Sequence, residues 1–255
     1  MILMKKFEAS GNEVIRVNDV TKQYDNGTLA LRNVRLTIDK REFVSLVGPS
    51  GCGKSTLLRI MAGLDRPTTG TVEAMGSETK GIDNASFVFQ DANLMPWRTI
   101  LANVELPLEM QGTSKRECRE KAQNALSKVG LSAYFGHYPR QLSGGMKMRV
   151  SIARALVSEP KVLYMDEPFG ALDEMTRQRL HQELLDIWMN SDLTIVFVTH
   201  NVFEAVYLSD RVVVMEAHPG RIKQIIPIDE PFPRNKDFLS SNSFGERVRS
   251  ITDAL

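Results

Sequence analysis

A chain of 255 residues, 42% hydrophobic and 25% charged, has ordinary globular composition and is long enough for one sizeable core or two small ones. Acids and bases nearly cancel to a formal net charge of +1, so the field that holds nucleic acid or an anionic membrane surface is missing, and no nucleic-acid partner is expected. Apolar stretches such as Val212 to Met215 fall far short of the ~20 residues that cross a bilayer, and Met1 to Lys6 places its apolar residues before its lysines, the reverse of a secretory signal; a cytosolic chain is expected.

Up to about residue 90 the pattern is strand-like: Val14 to Val17, the alternating Val34, Leu36 and Ile38, Phe43 to Val47, Thr71 to Ala74, and Phe87 to Phe89. One helix interrupts it, Lys54 to Ala62, with Leu57, Leu58 and Met61 on one face and Gly63 as its stop. From Ile100 to about Leu156 the pattern turns helical, and Lys115 to Val129 carries Ala122, Ala125, Leu126 and Val129 on one stripe. Strands and helices then alternate: Val162 to Met165, helix Glu174 to Met189, Thr194 to Val198, helix Val202 to Leu208, Arg211 to Met215. That rhythm predicts a parallel sheet covered on both faces. Asp229 to Ser243, rich in proline and polar residues, reads as an extended tail before a short helix from about Phe244. Cys52 and Cys118 have no metal-ligand spacing and suggest no disulfide framework.

Gly48, Pro49, Ser50, Gly51, Cys52, Gly53, Lys54 and Ser55 fit G-x-x-x-x-G-K-[ST], follow an apolar strand and open a helix, the context that separates a phosphate loop (P-loop) from a chance glycine-rich turn. Glycines let backbone N–H groups curl around phosphate oxygens, and the helix N-terminus adds its positive end. Lys54 is placed to reach the β and γ phosphates, Ser55 to ligate Mg²⁺, and Thr56 completes the ATP-binding stretch. The strand Val162 to Met165 then delivers Asp166 and Glu167 at its C-terminal end, where parallel sheets place their ligands. Asp166 fits a Mg²⁺-holding carboxylate and Glu167 the base that deprotonates an attacking water. A solvated strand end before Pro168 is the plain alternative.

Leu142, Ser143, Gly144, Gly145 and Met146 resemble the L-S-G-G-Q signature of ABC ATPases, with Met146 in place of the usual glutamine. In the order that family shows, Tyr24 resembles the adenine-stacking aromatic residue, Gln90 the Q-loop glutamine and a third Mg²⁺ contact, Ala171, Leu172 and Asp173 the D-loop, and His200 the switch histidine. Singly, each has a plain structural reading: a strand aromatic, a strand-end polar residue, an N-cap for the helix from Glu174, a loop histidine.

The resemblance implies an α/β fold: a P-loop NTPase (RecA-like) core with an antiparallel β subdomain and a helical ABC-specific subdomain. It spans residues 1–228, with the helical part inserted at about 91–156 and a tail over 229–255. It implies ATP and Mg²⁺ as cofactors, with Lys54, Glu167 and His200 catalytic. It also implies a second ATPase subunit, the same chain or a paralogue, whose Ser143, Gly144 and Gly145 complete each ATP site. The segments FVFQDANLMPW (from Phe87), DEPFGALDEMTR (from Asp166) and HPGRI (from His218) are similar to the nitrate, sulfonate, taurine and bicarbonate importers. A peripheral subunit on the cytoplasmic face, bound to permease subunits through Leu94, Met95, Pro96 and Trp97 and served indirectly by an extracytoplasmic solute-binding protein, is what that implies. An internal core of the insert is the alternative reading for Leu94 and for Trp97 alike. A soluble ABC ATPase of translation or DNA repair, a binding module that hardly hydrolyses ATP, an exporter cassette, and an importer of another solute class are the rival readings.

Overall fold

The computed structural model describes residues 12–74, 77–78 and 84–255; Met1 to Lys6 lies outside them. Strands β1 (Glu13–Gln23) and β2 (Leu29–Asp39) pair antiparallel, and β3 (Phe43–Val47) runs through the phosphate loop into α1 (Lys54–Met61). β4 (Thr69–Ala74) and β5 (Ser77–Glu78) complete an antiparallel sheet ordered β2-β1-β4-β5. After β6 (Ala85–Val88) come the inserted helices α2 (Ile100–Met110), α3 (Lys115–Lys128) and α4 (Gly144–Leu156). The chain continues as β7 (Val162–Asp166), α5 (Glu174–Met189), β8 (Thr194–Val198), α6 (Val202–Leu208), β9 (Arg211–Glu216), β10 (Arg221–Pro227), α7 (Lys236–Leu239) and α8 (Asn242–Ala254). The second sheet is ordered β10-β9-β3-β8-β7-β6 and is parallel except for β10, which returns antiparallel along β9.

Why this sheet forms a wall between two cores follows from the period of two along a strand. Leu163, Met165, Ile195, Phe197, Val212 and Val214 face one cluster, built with α2 to α6 and α8. Their neighbours Val162, Tyr164, Val196, Val198, Val213 and Met215 face the other, built with α1, β1 and β2. Strands buried on both faces need unbroken apolar runs, which is how they read in the sequence. Each such side chain contributes roughly 1.5–3 kcal/mol on burial. Tyr164 is the polar member of β7; its hydroxyl donates to Met61 O at 2.9 Å, tying the sheet to α1, and burial pushes its ionisation far up.

Helix ends are set by local chemistry. Thr99, Ser114, Ser143, Asp173, Asn201 and Ser241 each accept a backbone N–H at the start of α2, α3, α4, α5, α6 and α8. Gly63, at φ +70, follows α1 where a left-handed residue stops the helix.

Two features differ from the sequence-based expectation. The sheet gains an antiparallel edge strand, β10, whose only buried residue is Ile226. The segment 229–243 is not simply extended: it contains α7, α8 begins at Asn242 rather than Phe244, and Phe238, Phe244 and Ile251 join the main core. Arg234 anchors it. At 2% exposure, its guanidinium donates to the carbonyls of Val206, Tyr207, Ser209, Ile228 and Glu230 and lies 4.1 Å over the Phe232 ring. Burial pulls its pKa down to about 10, which still leaves it charged at neutral pH.

The two sheets meet at the turn between β9 and β10. Gly220 N donates to Ala30 O at 3.1 Å and Arg32 N to Gly220 O at 2.9 Å. A Cβ at position 220 would lie 2.1 Å from Cys52 O and 2.6 Å from Ala30 O, both backbone atoms.

Two substitutions test these anchors. Gly220→Ala should lower unfolding stability in urea by about 1–3 kcal/mol, because no flexible side chain can yield to the added carbon. Arg234→Ala leaves buried carbonyls without a donor and should cost about 2–3 kcal/mol, with limited proteolysis opening 229–255 first.

Candidate nucleotide site

β3 ends in the loop 48–53, where Gly51 (φ +77) and Gly53 (φ +93) hold backbone angles that side-chain-bearing residues rarely adopt. Gly53 also has no room for a side chain: its Cβ would stand 2.6 Å from Leu31 Cδ2 and 2.9 Å from Ala30 O. The loop therefore lies pressed against β2 and leads into the N-terminus of α1. Lys54, 6% exposed, reaches back along the loop, and its ammonium donates to Gly48 O at 2.8 Å and Pro49 O at 3.1 Å. Cys52 is buried beneath the loop; burial raises its thiol pKa against the opposing field of Lys54, so it stays neutral.

The parallel strands bring the acids to the same end. Asp166 closes β7 and accepts the Ser55 hydroxyl at 2.7 Å, with Arg59 Nη2 3.7 Å from its other oxygen. Glu167 follows at φ +46, a left-handed conformation that costs a non-glycine residue about 1–3 kcal/mol and that the neighbouring structure must enforce. Its amide donates to Val198 O at 3.0 Å, which fixes the chain at this point. Glu167 Oε2 then lies 3.0 Å from Nδ1 of His200, delivered by the end of β8.

A cleft of about 500 Å³ opens beside the loop and Glu167. Tyr24, Ser50, Gly51, Gly53, Lys54, Ser55, Thr56, Glu167 and His200 line it. The Tyr24 hydroxyl is 3.2 Å from Thr56 Oγ1, leaving its half-exposed ring at the cleft edge beside Lys22, 5.1 Å away. The sequence reading missed Thr28, Leu29 and Ala30 at the start of β2, and His218 and Gly220 in the β9–β10 turn, all of which line the same cleft. Thr28 to Ala30 carry no chemical signature, and the available signal was Gly220, a buried glycine in the turn between β9 and β10.

Several predicted residues do not line the cleft: Gly48, Pro49 and Cys52 of the loop, Asp166, which reaches it only through its bond to Ser55, and the residues Gln90, Asp173 and Leu142–Met146. Gln90 is exposed just beyond β6. Asp173 caps α5, accepting from Thr176 N at 2.9 Å, and that bond lowers its pKa. The Leu142–Met146 segment starts α4: Leu142 is buried, Ser143 Oγ accepts from Met146 N at 3.3 Å, and Met146 packs on the core. Gly145 is there for space, since a Cβ would come 2.5 Å from Thr176 Cγ2. The amides of Gly144 and Gly145 belong to the first turn of a helix, where N–H groups have no partner within the helix and point to where an anion binds.

Between β6 and α2 the chain is fixed by two side chains. Asn103, fully buried, accepts from Met95 N at 2.7 Å and donates to the carbonyls of Met95, Arg98 and Thr99. Arg154 of α4 donates to the carbonyls of Ala92 and Asn93, both at 2.9 Å. Leu94 packs on the core, whereas Trp97 is 72% exposed.

The chain is similar to a large set of known proteins. Residues 31–170 match the ABC transporter family. An uncharacterised ABC transporter ATP-binding protein of Methanocaldococcus jannaschii is 48% identical over 93% of this chain and 90% of its own length. The nitrate import ATP-binding protein NrtD of Synechocystis is 46% identical over 89% and 87%. The aliphatic sulfonates import ATP-binding protein SsuB of Bacillus licheniformis is 45% identical over 87% of each. Among solved structures, a dimeric post-hydrolysis state of the ATP-binding cassette MJ0796 with ADP and phosphate superposes at a TM-score of 0.77, with 36% identity over 85% of this chain and all of that one. The cassette cbiO1 of Clostridium perfringens, part of the cbiONQ transporter complex, superposes at 0.79, with 27% identity over 95% and 99%. With a phosphate loop, a strand-end acid pair and a helix-start signature set on this shared architecture, the chain belongs to the ABC transporter family as one of its ATP-binding, ATP-hydrolysing subunits.

Proposed function

We propose that this subunit drives uptake of a small anion, of the nitrate or sulfonate kind, by hydrolysing ATP between two cassettes beneath a membrane permease. The observation that carries the hydrolytic part is the convergence of Lys54, Ser55, Asp166, Glu167 and His200 at one end of the sheet. The loop amides and Lys54 bind the phosphates, and Tyr24 offers its ring to the adenine. Ser55 Oγ and Asp166 Oδ1 are adjacent hard oxygen donors, the type that Mg²⁺ prefers, and Gln90 stands as a further contact. Mg²⁺ arriving with ATP supplies charge neutralisation of the phosphates. Glu167 takes the proton of the attacking water, and His200, with Nδ1 donating to Glu167, orients that carboxylate.

Because the signature residues do not line the cleft, Ser143, Gly144 and Gly145 serve the ATP held by a second cassette, in a head-to-tail pair that ATP closes and hydrolysis releases. Asp173 and its neighbours lie at that junction. Residues 1–228 form the working cassette, with 91–156 facing the permease and 229–255 appended. Among the described residues no helix is long and apolar enough to cross a membrane, so contact with the bilayer runs through the permease. The exposed Trp97, on a loop held firmly by Asn103 and Arg154, supplies the apolar surface for it. Relatives at 45–46% identity that carry nitrate and sulfonate import in their names support the class of solute, with an external solute-binding protein presenting it.

Glu167→Gln should cut ATP turnover by about 10²- to 10⁴-fold while leaving ATP binding intact, measured by phosphate release and by a fluorescent nucleotide. Turnover at the wild-type rate would remove Glu167 from the mechanism. Loss of the gene should abolish uptake of at least one small oxyanion or sulfonate, and normal uptake of every such solute would refute the transport assignment.

A further inference from the structure

Behind the cleft lies a buried carboxylate that the chemistry above does not use. Glu204, in the first turn of α6, is 5% exposed, and its Oε2 accepts a 2.5 Å hydrogen bond from the hydroxyl of the equally buried Thr199. Thr199 Oγ1 in turn accepts from the Asn201 amide at 3.0 Å. One hydroxyl therefore closes the turn on which His200 sits. The other carboxylate oxygen, Oε1, lies 3.1 Å from His181 Nε2 and 3.6 Å from Arg177 Nε, both on α5. Arg177 Nη2 donates to Leu172 O at 2.8 Å, one residue before the Asp173 cap, while its buried Nε makes no hydrogen bond and only faces the carboxylate.

Stability alone is a poor explanation for this arrangement. Desolvating a carboxylate offsets most of what its ion pairs return, and a well-packed apolar group of the same size often does as well. What a buried, multiply bonded carboxylate does supply is fixed geometry. We infer that Glu204 is a positioning residue for hydrolysis: through Thr199 it sets the turn that aims His200 at Glu167, and through Arg177 it ties that turn to the segment ending at Asp173. This rests on the roles proposed above for Glu167 and His200. A shift of 171–173, the stretch that meets the second cassette on that reading, is thereby passed to the histidine of this chain's own site.

Glu204→Ala would leave His181 and Arg177 facing an empty pocket and risks unfolding, so the test uses Thr199→Val, which keeps the side-chain shape and removes only the hydroxyl. Thr199→Val should lower kcat on the order of tenfold with the KM for ATP changed less than about twofold, since a misaimed group costs rate rather than ground-state binding. Thr199→Ser, which restores the hydroxyl, should recover most of the loss. In a His200→Ala background Thr199→Val should have no further effect, because it acts through that ring. An unchanged kcat for Thr199→Val, or an equal loss in the His200→Ala background, overturns the positioning role. Unaltered turnover by His200→Ala alone overturns the underlying reading of His200, and this inference with it.

Discussion

Between the carbonyls of Ala30 and Cys52 the fold leaves space for a hydrogen atom and no more, and Gly220 fills it. This contact joins the antiparallel sheet to the parallel one directly beneath the phosphate loop, with hydrogen bonds to β2 on both sides of the glycine. The consequence for function is placement. A loop whose amides must converge on phosphate oxygens needs a rigid back, and Gly53 pressed on Leu31 and Gly220 pressed on Cys52 provide one. The cleft opens between the two sheets because that is where they are held together.

The same sheet explains why residues far apart in sequence meet. β3, β7 and β8 run parallel, so the phosphate loop, Asp166 with Glu167, and Thr199 with His200 all emerge at one edge. Unbroken apolar strands make that edge stiff enough to hold Glu167 in a left-handed conformation that would otherwise relax. Around it, charged groups are tied to neighbours rather than left to solvent: Asp166 to Ser55, Glu167 to His200, Glu204 to Thr199 and His181. The signature helix starts elsewhere, packed on the first turn of α5, and the proposed pairing of two cassettes rests on that separation.

Much of this is legible in the amino-acid sequence. The strands of the parallel core are apolar on both faces, and their helices carry capping residues, so α5, β8 and α6 fall at their expected bounds. The site motifs stand out in the sequence because each residue type suits its local backbone: glycine for tight turns, lysine and serine opening a helix, acids at a strand end. What escaped was decided by distant partners. β10, RIKQIIP, exposes nearly all of its side chains and is a strand because β9 offers it hydrogen bonds. Arg234 sits in a polar, proline-rich stretch that reads as solvated, yet its burial is set by carbonyls of residues 206–209 that no local pattern announces. Thr28 to Ala30 join the site only because Gly220 brings their strand to the loop.

The central claim is that one chain holds two complementary halves of an ATP site. Its most direct test is the mass of the Glu167→Gln protein by light scattering, with and without Mg²⁺ and ATP, alone and combined with Ser143→Arg. A dimer is expected only with nucleotide, and a monomer that still binds ATP once Ser143 is replaced. A Glu167→Gln protein that stays monomeric at saturating ATP, or a dimer indifferent to Ser143→Arg, would contradict it.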